Sequence, residues 1–595
     1  MLSGEEKEEE QICRLSHPGH PHTLSRRDGT DPPDGCFAGG YESGAYESLG
    51  GLEKFYHYCT TCDVAFHKYC HEKPRKITHP YHPQHSLSFS VIDRETRVLY
   101  DRDPHEYNNG KIYFGVGTPY HGNTFDNCTW CGENLRGGTF FYRCSICSFC
   151  LCPLCSFKFP LPTISNPKNH HHSLIFLPRP LLVPCDVCGL VERSDPSYVC
   201  FQCNYVVHES CIDLPCVIKI TRHPHRLFYT PFLSPSISSC LLCYKTIDIK
   251  YGQYSCNHED CSYVAHSKCA THETVWDGRE LEWEPEEIGE TEDVAPFKRV
   301  GDHLIKYFFH EHHLKLEKYN GVRDADKQCQ ACILHIDSRD FYNCMQCNYF
   351  LHEVCANLPR KLDHALHNHP LFLDPAPPKD FESIDCFVCR RPFAGFSYKC
   401  YKDNCEDEYG IKFQVDFGCI LIPECFTHKS HEHPLFIPIA TKRSNRCEVC
   451  KAENAARYLR CTLCEFCLCY ECAIIPDKLH YKYDALPLSL CYGEVSDETY
   501  WCEVCERKLD PKEWFYTCNK ANITIHCECV FGKFAYMNPG YKFDDIRSST
   551  VEVICNRSST RPFCNECKAR CSSSVYLKMS NGTVVCSILC YLWKR

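Results

Sequence analysis

No part of this 595-residue chain stays apolar for long. The longest such runs, Ser173 to Pro184 among them, are broken by proline or arginine and fall short of the roughly 18 residues that a membrane-spanning helix needs. A signal peptide is not visible either, because Met1 to Glu10 runs into Glu5, Glu6, Lys7, Glu8, Glu9 and Glu10 where an apolar core would stand. Positive charge is in deficit: 65 Lys and Arg against 76 Asp and Glu leave a formal charge of −11. That balance disfavours non-specific binding to nucleic acid or to an anionic membrane. Local basic segments such as Lys219 to Arg226 do not build a basic stripe with interleaved aromatics. A phosphate-cradling glycine loop, a serine elbow and a helical periodicity long enough for a bundle are also missing.

Cysteine and histidine are abundant instead, 53 and 34 residues. Such a chain is expected to be a string of small units stapled by disulfides or metals, because short stretches cannot bury enough apolar surface to offset chain entropy. Without a secretory signal the expected setting is soluble and intracellular, cytoplasm or nucleus rather than secreted. Thiols stay reduced there, and paired Cys and His bind zinc.

One pattern recurs eight times. The third copy reads Cys185-x2-Cys188, Cys200-x2-Cys203, His208-x2-Cys211, and the fifth reads Cys329, Cys332, Cys344, Cys347, His352, Cys355. The fourth supplies Cys240, Cys243, Cys256, Cys261, His266 and Cys269. In the second (Cys128, Cys131, Cys144, Cys147, Cys152, Cys155) and seventh (Cys447, Cys450, Cys461, Cys464, Cys469, Cys472), a cysteine replaces the histidine. In the sixth (Cys386, Cys389, Cys400, Cys405, Asp416, Cys419) an aspartate does. The first copy keeps Cys59, Cys62, His67 and Cys70, but its Cys36 is followed by Gly39 where a second cysteine belongs. The eighth keeps Cys502, Cys505, His526 and Cys529, with Ala521 after Cys518 and Leu486 near the expected histidine, so one of its sites is expected to be lost.

Ahead of the cores stands a second signature, two histidines one residue apart with a leucine two positions on. It reads His20-Pro-His22 with Leu24, His170-x-His172 with Leu174, His223-Pro-His225 with Leu227 and His310-Glu-His312 with Leu314. It returns as His367-Asn-His369 with Leu371 and His431-Glu-His433 with Leu435, and more loosely as His82 to His85 with Leu87. His480 is a further candidate ligand, and Cys564-x2-Cys567 with Cys586-x3-Cys590 form a separate four-cysteine knuckle. This scheme uses 44 of the 53 cysteines and leaves Cys13, Cys150, Cys216, Cys425, Cys467, Cys491, Cys527, Cys555 and Cys571.

The chain divides accordingly into an acidic tail (1–16), a degenerate finger (17–79) and three fingers (80–165, 166–218, 219–272). An acidic linker (273–302) then parts the two arrays, with eight acidic and no basic residues between Glu280 and Asp293. Three more fingers follow (303–361, 362–427, 428–478), then a degenerate finger (479–535) and the terminal element (536–595). Aromatic stretches before the second pairs, such as Phe140-Phe141-Tyr142 and Asp340-Phe341-Tyr342, predict short strands, and His-x2-Cys predicts a short helix. The fold class expected is a tandem array of small zinc-stabilised α+β modules, each with a few aromatics in place of a large core.

The ligand order resembles the cross-braced zinc fingers of the diacylglycerol-binding type. More closely it resembles the plant family of Cys/His-rich proteins built from divergent C1 domains, which carry this His-x-His-x-Leu lead and Tyr-x-Cys-x2-Cys-x4-His-x2-Cys core; the likeness runs from His20 to Cys590. The resemblance implies two zinc ions per intact module, about 15 in all, and an interleaved ligation. In the third copy one zinc would take His172, Cys200, Cys203 and His223, the other Cys185, Cys188, His208 and Cys211. Loaded with thiolate-bound zinc, the chain's charge would move to about −20.

The function expected is a non-enzymatic zinc scaffold that binds proteins, in intracellular signalling. A thiol-disulfide role rests on the Cys-x2-Cys pairs and on Cys150, Cys467 and Cys527 beside the sites. Diacylglycerol binding is disfavoured, since intervals such as Gly189 to Val199 and Ile333 to Asn343 are short and lack a Gln-Gly step. Ubiquitin-ligase and histone-reader domains also cross-brace two zincs, but in a different ligand order.

Overall fold

The computed structural model describes residues 23–28, 55–91, 127–231, 239–285, 295–319 and 327–591, less short breaks of which the longest is 378–384. The acidic tail, Cys13, His20, His22, Cys36 and Cys62 lie outside the described residues.

Each finger is a small antiparallel sheet, and the lead signature explains how it forms. Leucine follows the histidine pair by two residues, so it points to the inner face of the strand that begins there. Leu87, Leu174, Leu227, Leu314, Leu371 and Leu435 are all fully buried, at 0–1% exposure. Along Leu174–Leu177 burial alternates, with Leu174 and Phe176 inside and Ile175 outside. This strand pairs with Ser197–Cys200, which pairs with Tyr205–His208. The fourth finger repeats the meander with Val217–Ile218, Leu227–Thr230, Gln253–Cys256 and Val264–His266. The expected short helices are present, one turn each, starting directly after the ligand: Glu209–Ile212, Ser267–Ala270 and Glu353–Ala356.

The tyrosine two residues before the second cysteine pair has a recurring task. Its hydroxyl donates to a carbonyl in the segment entering the finger: Tyr142 to Pro74, Tyr198 to Leu161, Tyr254 to Pro215, and likewise Tyr398 to Pro359 and Tyr516 to Pro476. A buried phenol hydroxyl needs a partner, and these carbonyls supply it.

The chain forms two compact units, and the division falls between Leu214 and Pro215, with 231–233 and 248–253 grouping with the first. In the first unit the rings of Tyr81 and Trp130 stack at 3.6 Å, with Phe176 of the next finger about 6 Å from each.

In the second unit the cores merge. One apolar cluster runs from Ile305 through Leu371, Tyr398 and Leu459 to Ala473 and joins Tyr536, so fingers expected to rely on a few aromatics each share a larger core. At one seam Phe396 N–H donates to Ala331 carbonyl (3.0 Å), and a Cβ on Gly395 would lie 2.1 Å from that oxygen, so only glycine fits. The fourth finger belongs to this unit, before the acidic linker rather than after it. The buried Arg222 donates to Glu424 Oε1 (2.7 Å) and to the Ile437 carbonyl (3.1 Å), which holds it to the later fingers. Nor is the linker structureless throughout. Glu280 accepts from Cys216 N–H, Arg226 donates to the carbonyls of Leu281 and Glu284, and Phe297–Gly301 is a strand paired with Leu304–Tyr307.

Candidate metal centres

Two kinds of Cys/His cluster recur, one on each side of the sheet's hairpin. Inner clusters start from the first cysteine pair, which sits on a tight knuckle. The residue after its second cysteine has a left-handed backbone, from Gly132 (φ 76°) and Gly189 (φ 69°) to Tyr244, Ile333, Arg390, Lys451, Glu506 and Lys568 (φ 57–62°). Its N–H donates back to the carbonyl of the pair's first cysteine, as from Gly189 to Cys185 (2.8 Å) and Ile333 to Cys329 (2.9 Å). Six of these eight residues carry a Cβ, a strained choice that the metal knuckle must hold in place. The first sulfur also accepts a backbone N–H from the residue that supplies the third ligand. His208, His266 and His352 donate to Cys185, Cys240 and Cys329 at 3.4 Å.

The third inner ligand arrives through Nδ1: Cys188 Sγ lies 3.4 Å from His208, Cys243 Sγ 3.3 Å from His266, Cys332 Sγ 3.3 Å from His352 and Cys505 Sγ 3.4 Å from His526. The far nitrogens of His266 and His352 face the carbonyls of Thr246 (3.1 Å) and His335 (3.3 Å), the second partner that fixes a ligand ring. Substituted clusters keep the geometry. Cys131 and Cys152 sulfurs are 3.7 Å apart, Cys450 and Cys469 3.6 Å, and Cys389 Sγ is 3.3 Å from Asp416 Oδ2. Asp416 also caps the following helix, accepting from Cys419 N–H. Burial and the Cys386 thiolate push its carboxyl up to about 7. In the terminal knuckle Cys586 Sγ lies 3.5 Å from Cys567 and 3.6 Å from Cys590.

Outer clusters join the second cysteine pair to the lead histidines. In four leads the first histidine presents Nε2 to the cluster: His82, His223, His310 and His431 stand 3.3, 3.5, 3.5 and 3.4 Å from Cys147, Cys261, Cys347 and Cys464. The second uses Nδ1, as in His85 to Cys144 (3.6 Å), His172 to Cys203 (3.0 Å), His225 to Cys256 (3.6 Å) and His369 to Cys405 (3.1 Å). Backbone N–H groups of Ile146, Gln346 and Leu463 donate to Cys144, Cys344 and Cys461.

These separations fit one ion. Zn–S of about 2.3 Å and Zn–N of about 2.0–2.1 Å in a tetrahedron place sulfur and nitrogen about 3.5 Å apart, and two sulfurs about 3.8 Å apart. The crowded thiols share their protons unequally, with Cys155 and Cys529 raised by the thiolates they hydrogen-bond. Hydrogen bonding from Cys152 and Cys155 pulls Cys128 down to about 2 against the effect of burial, and hydrogen bonding from Cys529 pulls Cys502 down to about 4. Fifteen groups of three or more such ligands occur among the described residues, five of them being His82/His85/Cys144/Cys147, Cys128/Cys131/Cys152/Cys155, His170/His172/Cys200/Cys203, Cys185/Cys188/His208/Cys211 and His223/His225/Cys256/Cys261.

The grouping keeps the interleaved order, with Cys185, Cys188, His208 and Cys211 together as the resemblance implied, and corrects one ligand of the other set. His172 shares its cluster with His170, and His223 stays with its own finger's Cys256 and Cys261, so each lead serves the finger it begins. Two rings one residue apart already converge on one point, with centroids 5.5 Å apart for His170 and His172. His480 lines a cavity with Leu479 and Phe531, while Cys464 meets His431. In the first finger Cys59, His67 and Cys70 are described, with Cys59 and Cys70 buried. The spare thiols beside the sites are held in the protonated form: burial pushes Cys467 up to about 11 and Cys527 to about 12, and raises Cys150. Such thiols are poor nucleophiles.

One set of residues went unread in the sequence. The first lead histidine stacks on an aromatic ring in six fingers: His82 on Phe149, His170 on Tyr205, His223 on Tyr263, His310 on Tyr349, His367 on Phe413 and His431 on Phe466. Its signal was available, since that aromatic always stands three residues before the third inner ligand.

Among the described residues no helix is long and apolar enough to cross a membrane. The C1-domain family matches residues 168–212, 221–270, 308–356 and 481–530, and the family described as C1 domain-like, C-terminal, matches 551–591. No curated protein and no solved structure matches the chain. The second, sixth and seventh fingers, where Cys152, Asp416 and Cys469 replace histidine, repeat the matched fingers' knuckle and cluster geometry. With four C1 domains in series and a C1 domain-like domain after them, the chain matches a tandem divergent C1-domain protein.

Proposed function

We propose that this chain is a non-enzymatic zinc-binding scaffold that presents surfaces to protein partners in intracellular signalling. The observation that carries this reading is the four-donor make-up of the clusters: in Cys185/Cys188/His208/Cys211 the protein itself fills all four positions of a tetrahedral zinc, as in sites that fold a protein rather than activate water. Large apolar side chains stand in solvent on the first unit and are available to a partner, among them Ile146 (72% exposed), Leu154 (76%) and Phe201 (67%).

The test is an affinity capture with the zinc-loaded full chain beside the same chain stripped of metal. The scaffold reading expects proteins retained only by the loaded form. Capture that is indifferent to zinc, or turnover of a small substrate or of a protein disulfide by the loaded chain, would remove it.

A further inference from the structure

The six stacked aromatics are placed by the outer site itself. In each hairpin that carries the second cysteine pair, the aromatic is the cross-strand partner of that pair's first cysteine. Cys144 N–H donates to the Phe149 carbonyl (2.8 Å), Cys256 to Tyr263 (2.9 Å), Cys344 to Tyr349, Cys400 to Phe413 and Cys461 to Phe466 (each 3.0 Å). Cys200 and Tyr205 face each other in the same register. The ring then lies flat against the first lead histidine, with centroids 4.0–4.5 Å apart and planes within 25°.

That histidine is the ligand most in need of orientation. In four leads it reaches the cluster through Nε2, whereas its neighbour in the lead uses Nδ1, nearer the backbone. A given swing about the side-chain bonds displaces the farther nitrogen more. The eighth finger supplies an internal control: it has Leu486 in place of a lead histidine, and the residue facing Cys518 is the aliphatic Ile523. The first finger has Val64 facing Cys59, and its lead histidines and Cys62 lie outside the described residues.

We propose that Phe149, Tyr205, Tyr263, Tyr349, Phe413 and Phe466 are positioning residues of the outer zinc sites, each holding the first lead histidine's ring in its ligating orientation by stacking. This rests on the zinc reading above. The flat face does the work and the hydroxyl does not, since phenylalanine serves in three of the six fingers. Loss of the stack is expected to weaken outer-site metal binding about 10- to 100-fold, the range typical for loss of a hydrogen-bonding partner of a metal-bound histidine.

The experiment compares the full-length zinc protein with a variant carrying leucine at all six positions and one carrying Tyr205→Phe, Tyr263→Phe and Tyr349→Phe. Zinc transfer to a chromophoric chelator gives release rates. Cobalt substitution gives absorption bands that separate two-sulfur outer sites from the sulfur-richer inner ones. The leucine variant is expected to release its outer metal at least tenfold faster and to lose outer-site cobalt bands, with inner sites unchanged and the phenylalanine variant like wild type. Should the sixfold variant not fold, Tyr205→Leu alone is expected to convert one metal ion per chain from slow to fast release. Wild-type release from the outer sites of the leucine variants would overturn the assignment, as would equal weakening of inner and outer sites or a phenylalanine variant as labile as leucine. A wild-type chain that carries no zinc is a separate result and would overturn the zinc reading beneath it.

Discussion

Inner and outer clusters of one finger are built from the same residue types yet live in different surroundings. In the third finger Cys185, Cys188 and Cys211 are buried and His208 is 1% exposed, while Cys203 of the outer cluster is exposed. Cys147, Cys347 and Cys464 are exposed in the same position of their fingers. The inner cluster sits where the knuckle, the hairpin and the one-turn helix converge, so its metal joins all three parts. The outer cluster ties a strand entry to a hairpin tip. Accordingly the inner position accepts a changed ligand, as Cys152, Asp416 and Cys469 show, but keeps a cluster. The eighth finger, with Leu486 where a lead histidine would stand, still forms its sheet, with Leu488 and Tyr516 fully buried. This difference predicts that folding requires the inner metal and tolerates loss of the outer one.

Complete removal of zinc should have the largest effect, because structural zinc contributes about 10–16 kcal/mol to the folding of small fingers. Denaturation with a strong chelator, followed by removal of both denaturant and chelator, should leave an expanded chain by gel filtration, and added zinc should restore compactness; a compact metal-free chain would break the distinction at its root. Next in size, Leu174→Ala and His172→Ala separate the two functions of the lead. Truncating the buried Leu174 should cost about 2–5 kcal/mol in denaturant unfolding of the first unit. His172→Ala should cost less than that while removing one outer zinc, and the reverse order would show the outer metal to be the folding element. At Asp416 the metal lost is an inner one, and the loss should exceed that of His172→Ala. Asp416→Ala should remove an inner zinc together with a helix cap worth about 1 kcal/mol, whereas Asp416→His should keep the metal, both read by metal analysis and thermal unfolding. The smallest change is chemical. Brief alkylation of the native zinc protein, mapped by mass spectrometry, should label Cys147, Cys203, Cys347 and Cys464 before Cys185, Cys329 or Cys386.

That Cys and His would gather in clusters, the strands that precede the second pairs and the one-turn helices were legible in the sequence, because chemistry fixes the residue types and spacing fixes the faces. Which ion each histidine serves was not: His172 and His223 are both within reach of the Cys200–Cys203 pair along the chain, and only the folded path of the lead separates them. The stacking ring was visible as an aromatic at constant offset, yet its partner is a histidine 35 residues upstream in the third finger, His170 to Tyr205, so no local pattern connects the two. The placement of the fourth finger depends on Arg222 meeting Glu424, a contact between residues far apart in sequence. The linker's acidity likewise gave no sign that Glu280 would accept a backbone hydrogen bond from Cys216.

Zinc content of the purified full-length protein, with titration of its free thiols, tests the central claim most directly. Fifteen ligand groups among the described residues lead to a content of about fifteen zinc ions per chain, with thiols that become reactive only as the metal is withdrawn. A chain with little zinc and its cysteines paired in disulfides would contradict it.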